Sequence, residues 1–332
     1  MSELAEVIRR EAPSLGFQRV GFAPARPEDL HRAALERWLE AGRHAGMAFM
    51  DETRAVRLDP RRLLPGARSA IMVARYYPPP PPVEGPRISA YAAGPDYHAS
   101  MKESLHDLCA TIREHAPDAQ LLPFVDTHPV LERARRRRTG LRGQNTMLIH
   151  PRDGSFFFLG GILTDLELPL GTPLTENCGT CHACLDACPT SAFPEPFVVD
   201  SARCIGYLTV EHRGRFTNKQ RAMIGEWVFG CDVCQTVCPF NHKPMQRAGE
   251  AGNVQVDVRK MLQELTQQPF NRLHGDSAIS RARRRGMIRN LLVVAENLHD
   301  KSILDVLPLF ADDRDKVVVD MAEATRRRLV EE

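Results

Sequence analysis

Eight of the nine cysteines fall between Cys178 and Cys238. The segment ENCGTCHACLDACPTSAF, residues 176 to 193, carries Cys178, Cys181, Cys184 and Cys188, followed by Pro189. This is C-x2-C-x2-C-x3-C-P, the bacterial ferredoxin spacing for a [4Fe-4S] cubane, in which three thiolates hold one cluster and the fourth serves a second. Downstream, GCDVCQTVCPF supplies Cys231, Cys234, Cys238 and Pro239, and Cys204 stands between the two runs. The pseudo-twofold logic of such modules gives one cluster to Cys178, Cys181, Cys184 and Cys238, and the other to Cys188, Cys204, Cys231 and Cys234. Two zinc sites would need only C-x2-C pairs and would explain neither the C-P endings nor the triple spacing. Cys109 lies apart in SLHDLCATIREH, a helical-looking stretch, and reads as a buried thiol acting as a small hydrophobe.

Two clusters in one module relay electrons one at a time, and a ferredoxin does this with a short chain. Here about 170 residues precede the clusters and about 90 follow, so the module is embedded in something larger. With 332 residues and 43% hydrophobic content, the chain has material for two or three cores. Its net charge of +2 does not by itself indicate a nucleic-acid partner. The start, MSELAEVIRREAPSLGF, lacks the apolar stretch of a signal peptide, and no run reaches the roughly 18 apolar residues of a membrane span. A cytoplasmic protein without membrane contact is the expectation.

The elements that must position the thiols follow from pattern. Residues 1 to 170 open on an amphipathic segment, LAEVIRREA, continue into a strand-like run at 69 to 77, and pass a proline block that reads as a turn or linker. Helical patterning covers 97 to 116, and LLPFVDTHPVL and FFFLGGILTDLEL read as further strands. Strands alternating with helices predict an α/β or α+β domain. Residues 171 to 245 form the ferredoxin-like module. From 246 to 332 the spacing turns helical: Ile288, Leu291, Leu292, Ala295 and Leu298 mark one amphipathic helix, and KSILDVLPLF and DKVVVDMAEATRRRLV repeat the theme as a short helical-repeat tail.

VDTHPVLER, NTMLI, FFFLGGILTDLEL, the four-cysteine run, RCIGYLTVEHRG and FGCDVCQTVCPFN, in this order, resemble the epoxyqueuosine reductase family over nearly the whole chain. RLDPRRLLPGARSAIMVARYY and AAGPDYH match that family's N-terminal domain, and the tail is similar to its HEAT-like C-terminus. The resemblance implies a cobalamin held between an N-terminal catalytic domain and the double-cluster module, the clusters reducing cobalt, and the epoxide of epoxyqueuosine at the wobble position of transfer RNA opened to the alkene of queuosine. It assigns the proton to Asp126. A general acid working near neutral pH calls for a raised pKa, which desolvation beneath a corrin would supply. Arg57, Tyr97, His98, Asn145, Thr146 and Leu148 lie, with Asp126, in segments matching the cobalamin-binding domain.

The chain also departs from that pattern. It reads GLRGQNT at 140 to 146 where relatives read roughly GLGWIGKNT, with Gln144 in place of a lysine; His128 stands where a small residue is common, and Gly161 where a glutamate is. These departures raise a different substrate as an alternative. Transfer RNA should leave a basic footprint, since phosphate contacts supply most sequence-independent affinity. The candidates are Arg133, Arg135, Arg136, Arg137 and Arg138, then Arg283 and Arg284 in a run at 281 to 285, the run at 326 to 328, and His212 and Arg213, which match a family segment near the anticodon loop. The partners expected are such a transfer RNA and an external low-potential electron donor, with the protein a monomer. Two other readings share features: a corrinoid reductase of the reductive dehalogenase type acting on a small molecule, and a ferredoxin-type electron carrier with no chemistry of its own.

Overall fold

The computed structural model describes residues 1–126, 128–129, 140–171, 174–247 and 254–331. Its eight strands are β1 (Arg19–Pro24), β2 (Ser69–Tyr76), β3 (Arg87–Ile88), β4 (Leu121–Phe124), β5 (Leu141–Arg142), β6 (Leu148–Ile149), β7 (Phe157–Thr164) and β8 (Trp227–Phe229). The main sheet has the order β1-β2-β7-β4 and is antiparallel throughout. The N-terminal part is therefore of α+β type, with no parallel βαβ unit among its described strands. The near-continuous apolar run in β2 has another cause than parallel pairing: both faces of the sheet are covered. Ile71 and Val73 point into a core with the helices Ser2–Glu11 and Tyr97–His115, while Ala70, Met72 and Ala74 face a second core with Phe124 and Leu163. Cys109 is buried in the first of these, as expected of a small hydrophobe.

The central helix of the C-terminal part, Arg283–Asn297, is buried at every position from Met287 to Ala295. The three-and-four stripe seen in sequence is thus one face of an enclosed helix, and Leu298 lies just beyond its end, 36% exposed. Its core is not confined to residues 246 to 332. It takes in Tyr207, Leu208, Ile224, Val228 and Phe229 from the cysteine-bearing region, and Ile88, Ala90 and Ala92 from the N-terminal part. The parallel pairing of β3 with β8 makes the same connection through the backbone. Asn290, fully buried, donates from its side-chain amide to the carbonyls of Thr209 and Val228 at 2.8 and 2.9 Å. Three stretches of sequence are thereby locked into one body around the site. No described helix is long and apolar enough to cross a membrane.

Candidate active site

Two short helices, Ala183–Asp186 and Val233–Thr236, pack against each other and carry the middle of the two cysteine runs. Cys178, Cys181, Cys184 and Cys238 line one cavity of about 160 Å³, together with Gln144, Asn145, Ile149 and Phe240. Burial and then the neighbouring thiols Cys238, Cys178 and Cys181 push the Cys184 thiol up to about 11. In the second group, burial raises Cys204 and Cys231; Cys188 acts on both, and Cys204 also acts on Cys231 and Cys234. The structure thus gathers Cys178, Cys181, Cys184 and Cys238 around one cavity and puts Cys188, Cys204, Cys231 and Cys234 within electrostatic reach of their neighbours, with Cys184 also acting on Cys234.

Among the described residues no three His, Cys, Asp or Glu side chains converge on a single ion. A lone zinc would draw its four thiolates to roughly 4 Å of one another. Four thiols around a cavity suit a multi-atom cluster instead, and the residues present fit [4Fe-4S] groups. Hydrogen bonds to the sulfurs are already in place: Ala192 donates its N–H to Cys188 Sγ at 3.3 Å.

Between Cys231 and Cys234, Asp232 is fully buried and accepts from Ser89 Oγ at 2.5 Å, from the Ala90 N–H at 2.7 Å and from Gln235 Nε2 at 3.3 Å. Nothing in the cysteine spacing announced this residue. It ties the cluster loop to the segment 89–92, which leads into the helix Tyr97–His115.

That helix begins with an N-cap, Asp96, whose Oδ1 accepts from the His98 N–H at 2.9 Å and contacts His98 Nδ1 at 2.5 Å. The other ring nitrogen, His98 Nε2, meets Asp126 Oδ1 at 2.6 Å, and Tyr97 Oη donates to Asp126 Oδ2 at 2.5 Å. Tyr97 also stacks on His98 and on Phe158, with ring centroids 4.2 and 3.9 Å apart. One residue separates Asp126 from the end of β4, so the sheet supplies one half of the site and the helix start the other. Asp96 escaped the sequence reading, although Asp before a helical pattern is a capping signal.

Tyr97 and His98 set the electrostatics of Asp126. Burial pushes the Asp126 carboxyl up, but hydrogen bonds from His98 and Tyr97 outweigh it, with Arg281 adding to them, and the group sits below its ordinary value. His98 moves the opposite way: the Asp126 hydrogen bond raises it against burial, and Asp96 raises it further. The two shifts together favour an ionised Asp126 carboxylate facing a protonated His98 ring. With both nitrogens taken by carboxylates, His98 has none left to ligate a metal.

The other expected cofactor contacts divide. Thr146, in left-handed conformation at φ 67, lines a cavity of about 550 Å³ with Arg142, Trp38, Met50 and Phe197. Apolar side chains beside Arg37, Arg43 and Arg142 would suit a group with an apolar face and polar rim, as a corrin has, and the size is that of a ligand site, although Asp126, Tyr97 and His98 are not part of its wall. Asn145 is instead a brace, buried and donating to the Cys234 carbonyl at 3.0 Å. Leu148 packs into the core beneath the sheet, and Arg57 donates to Thr53 Oγ1 at 3.0 Å on the short helix Arg54–Leu58.

Of the departures, Gln144 is 4% exposed and faces the first thiol cavity, where its Oε1 has no hydrogen-bond partner. His128 donates its N–H to the Val125 carbonyl at 3.1 Å in the turn after Asp126. Gly161 is inside the sheet. A Cβ there would lie 2.5 Å from the Ile71 carbonyl and 2.7 Å from Phe124 Cζ, so packing excludes a glutamate and the position says nothing about a pocket.

The basic candidates also separate. Arg133, Arg135, Arg136, Arg137 and Arg138 lie outside the described residues. Arg283 and Arg213 line a cavity of about 460 Å³ with His212, Arg215 and Arg285. Arg284 does not: it pairs with Asp313 and donates to the Leu265 carbonyl at 3.2 Å, which makes it a structural cation. His212 is lowered by burial and then by Arg289 and Arg213, against a raising contact with the Arg215 carbonyl. Arg281 clasps Glu211 at 2.7 and 3.1 Å, and its charge reaches Asp126.

A family model described as "Epoxyqueuosine reductase QueG, DUF1730" matches residues 57–127, which include Asp126, and one described as "4Fe-4S double cluster binding domain" matches 177–241, which include all eight clustered cysteines. The chain is similar to an epoxyqueuosine reductase of Leadbetterella byssophila, 36% identical over 302 residues that cover 89% of this chain and 100% of that protein. It is similar also to an epoxyqueuosine reductase of Escherichia coli, 34% identical over 92% of this chain and 85% of the relative. Among solved structures it matches an epoxyqueuosine reductase with an epoxyqueuosine-modified tRNA-Tyr stem loop at a TM-score of 0.85 and 27% identity, covering 98% of this chain and 90% of the other. It matches the Bacillus subtilis enzyme, solved with its aspartate-bearing catalytic loop swung out of the active site, at a TM-score of 0.86 and 26% identity over the same shares. This chain belongs to the epoxyqueuosine reductase family.

Proposed function

We propose that this protein reduces epoxyqueuosine to queuosine in the anticodon loop of a transfer RNA. The observation that carries the reading is the Asp126 carboxylate, held by Tyr97 and His98 within the segment that matches the family model, in one body with two sets of four thiols. Cobalamin, when bound, supplies electron density at cobalt for cleavage of the carbon–oxygen bond. Arg142, Thr146, Trp38 and Phe197 would hold it, and the cysteine sets would hold the two [4Fe-4S] clusters that receive electrons from an external low-potential donor. Asp126 would hand its proton to the epoxide oxygen as the bond breaks, which keeps a poor leaving group from having to depart as an anion.

The basic cavity around Arg213, Arg215 and Arg283 is the surface we assign to the RNA backbone. The wobble base would be splayed from its loop to reach Asp126, as enzymes acting on nucleobases require. A cytoplasmic location is consistent with such a substrate. The stacked helices of the C-terminal part support a HEAT-like unit, and we take the protein to act as a monomer. The test is conversion in vitro. Protein reconstituted with iron, sulfide and cobalamin and reduced chemically should turn an epoxyqueuosine-bearing stem loop into its queuosine form; fully loaded protein that leaves the RNA unchanged contradicts the reading.

A further inference from the structure

Conversion of an epoxide to an alkene takes up two electrons and two protons and releases the ring oxygen as water. One carboxyl can deliver one proton, so an acid acting alone must be recharged before the oxygen can leave as water. We propose that His98, clamped between Asp96 and Asp126, recharges Asp126, and that Asp96 is the positioning carboxylate that keeps the imidazole turned towards it. The inference rests on the epoxide-reducing function proposed above.

The geometry supplies the argument. An ionised carboxylate only accepts hydrogen bonds, and His98 presents Nδ1 to Asp96 at 2.5 Å and Nε2 to Asp126 at 2.6 Å, so both ring nitrogens carry hydrogen and the ring is an imidazolium. Asp96 is itself fixed. It caps the helix through the His98 N–H, and its own N–H donates to the Asp276 carbonyl at 2.8 Å. Tyr97 is not the source: burial and then Asp126 drive its phenol far above the ordinary value, so it stays protonated and only orients the carboxylate. The charged and titratable groups around the pair are Asp96 and Tyr97 on its own helix, Asp126 after β4, Tyr91 from the segment 90–92 and Arg281 from the segment 278–282.

The step balances. The Nε2–H bond breaks as Oδ1–H forms, giving neutral imidazole and carboxylic acid; the acid O–H then breaks as the substrate O–H forms. The imidazole next takes a proton from hydronium or a buffer acid in the solvent, whose conjugate base stays in bulk; the 27% exposed side chain admits it, and the cycle repeats for the second proton. The two electrons come from the low-potential donor by way of the clusters.

The test uses the full chain. Histidine-labelled protein is titrated by NMR, with His98→Gln assigning the signal, and the single-turnover rate of the prereduced, loaded enzyme is followed against pH. Asn caps helices as Asp does, so Asp96→Asn keeps the helix start and removes only the charge. The expected results are a His98 titration above the ordinary 6.5 in the parent, a lower one in Asp96→Asn with its alkaline rate limb displaced to lower pH, and a rate about tenfold or more lower in His98→Gln at unchanged RNA affinity. A His98 that titrates at or below 6.5, or an Asp96→Asn enzyme with unmoved titration and limb, overturns the relay. Should His98→Gln not fold, Asp96→Asn decides alone. A parent enzyme inert on epoxyqueuosine RNA refutes the function instead, and the NMR titration still rules on the clamp.

Discussion

In the cysteine module, seven of the eight thiols sit on two short segments, 178–188 and 231–238, and the set read from their spacing as Cys178, Cys181, Cys184 and Cys238 lines one cavity. The acid site is built differently. Asp126 comes from the end of β4, Tyr97 and His98 from a helix start, and the N-cap Asp96 leans on Asp276 more than 170 residues away. A local motif fixes ligands at bond-length precision whatever surrounds it, whereas a site gathered across the chain depends on the core that joins its parts. Substitutions in the two regions should therefore fail in different ways.

The largest effect is expected in the thiols. Cys204→Ser removes the isolated member of its set, and multiple turnover should fall below detection while about four of eight irons remain by analysis. Full iron content in that variant would reassign Cys204. Next comes the sheet that carries the acid site. Gly161→Glu forces side-chain atoms into the Ile71 carbonyl and Phe124, at a cost of about 4 kcal/mol or more, so little soluble, folded protein should be recovered. A well-folded variant with altered substrate choice would return that position to the pocket.

A smaller effect separates two adjacent arginines. Arg283→Gln should weaken binding of a transfer RNA stem loop a few-fold and reduce the slope of log affinity against log salt by about 1, whereas Arg284→Gln, which leaves Asp313 unpaired, should lower Tm and leave the slope alone. Equal slopes in both variants would remove the basic cavity from the RNA surface.

The smallest effect is on stability against pH. Asp126 is depressed, so its contribution is present above 3.8 and lost as pH falls through its lowered value; His98 is raised, so its contribution is present below 6.5 and lost as pH rises through its higher one. The pair should stabilise the fold most between those limits. Because the Asp126 side chain keeps 42% of its surface in solvent, the Tm difference between parent and His98→Gln should be small. It should also shrink on both sides of the window, and a difference independent of pH would mean the pair is not ionised.

Why the cluster ligands were legible and the acid site only in part follows from the same contrast. Spacing in a metal motif is read directly, and the strands at 69 to 76 and 157 to 164 follow from apolar runs. Strand direction did not follow, because a strand covered on both faces is apolar throughout whether its neighbours run parallel or antiparallel. Asp126 was found through a resemblance, whereas the hydrogen bonds from Tyr97 and His98 that hold it below its ordinary value come from a helix start whose approach to β4 no local pattern announces. Leu148 and Asn145 sit beside Thr146 in sequence, yet one fills a core and another braces the Cys234 loop. Sequence proximity to a site residue does not tell which way a side chain points.

The most direct test of the account is a single turnover by prereduced, cobalamin-loaded enzyme on an epoxyqueuosine-bearing stem loop, comparing the parent with Asp126→Asn. The variant keeps the shape of the carboxyl and removes the acid. The account predicts that the parent forms queuosine, and that Asp126→Asn binds the RNA, retains both clusters and cobalamin, and reacts about 10²- to 10⁴-fold more slowly. An Asp126→Asn enzyme that forms queuosine at the parent rate would contradict it.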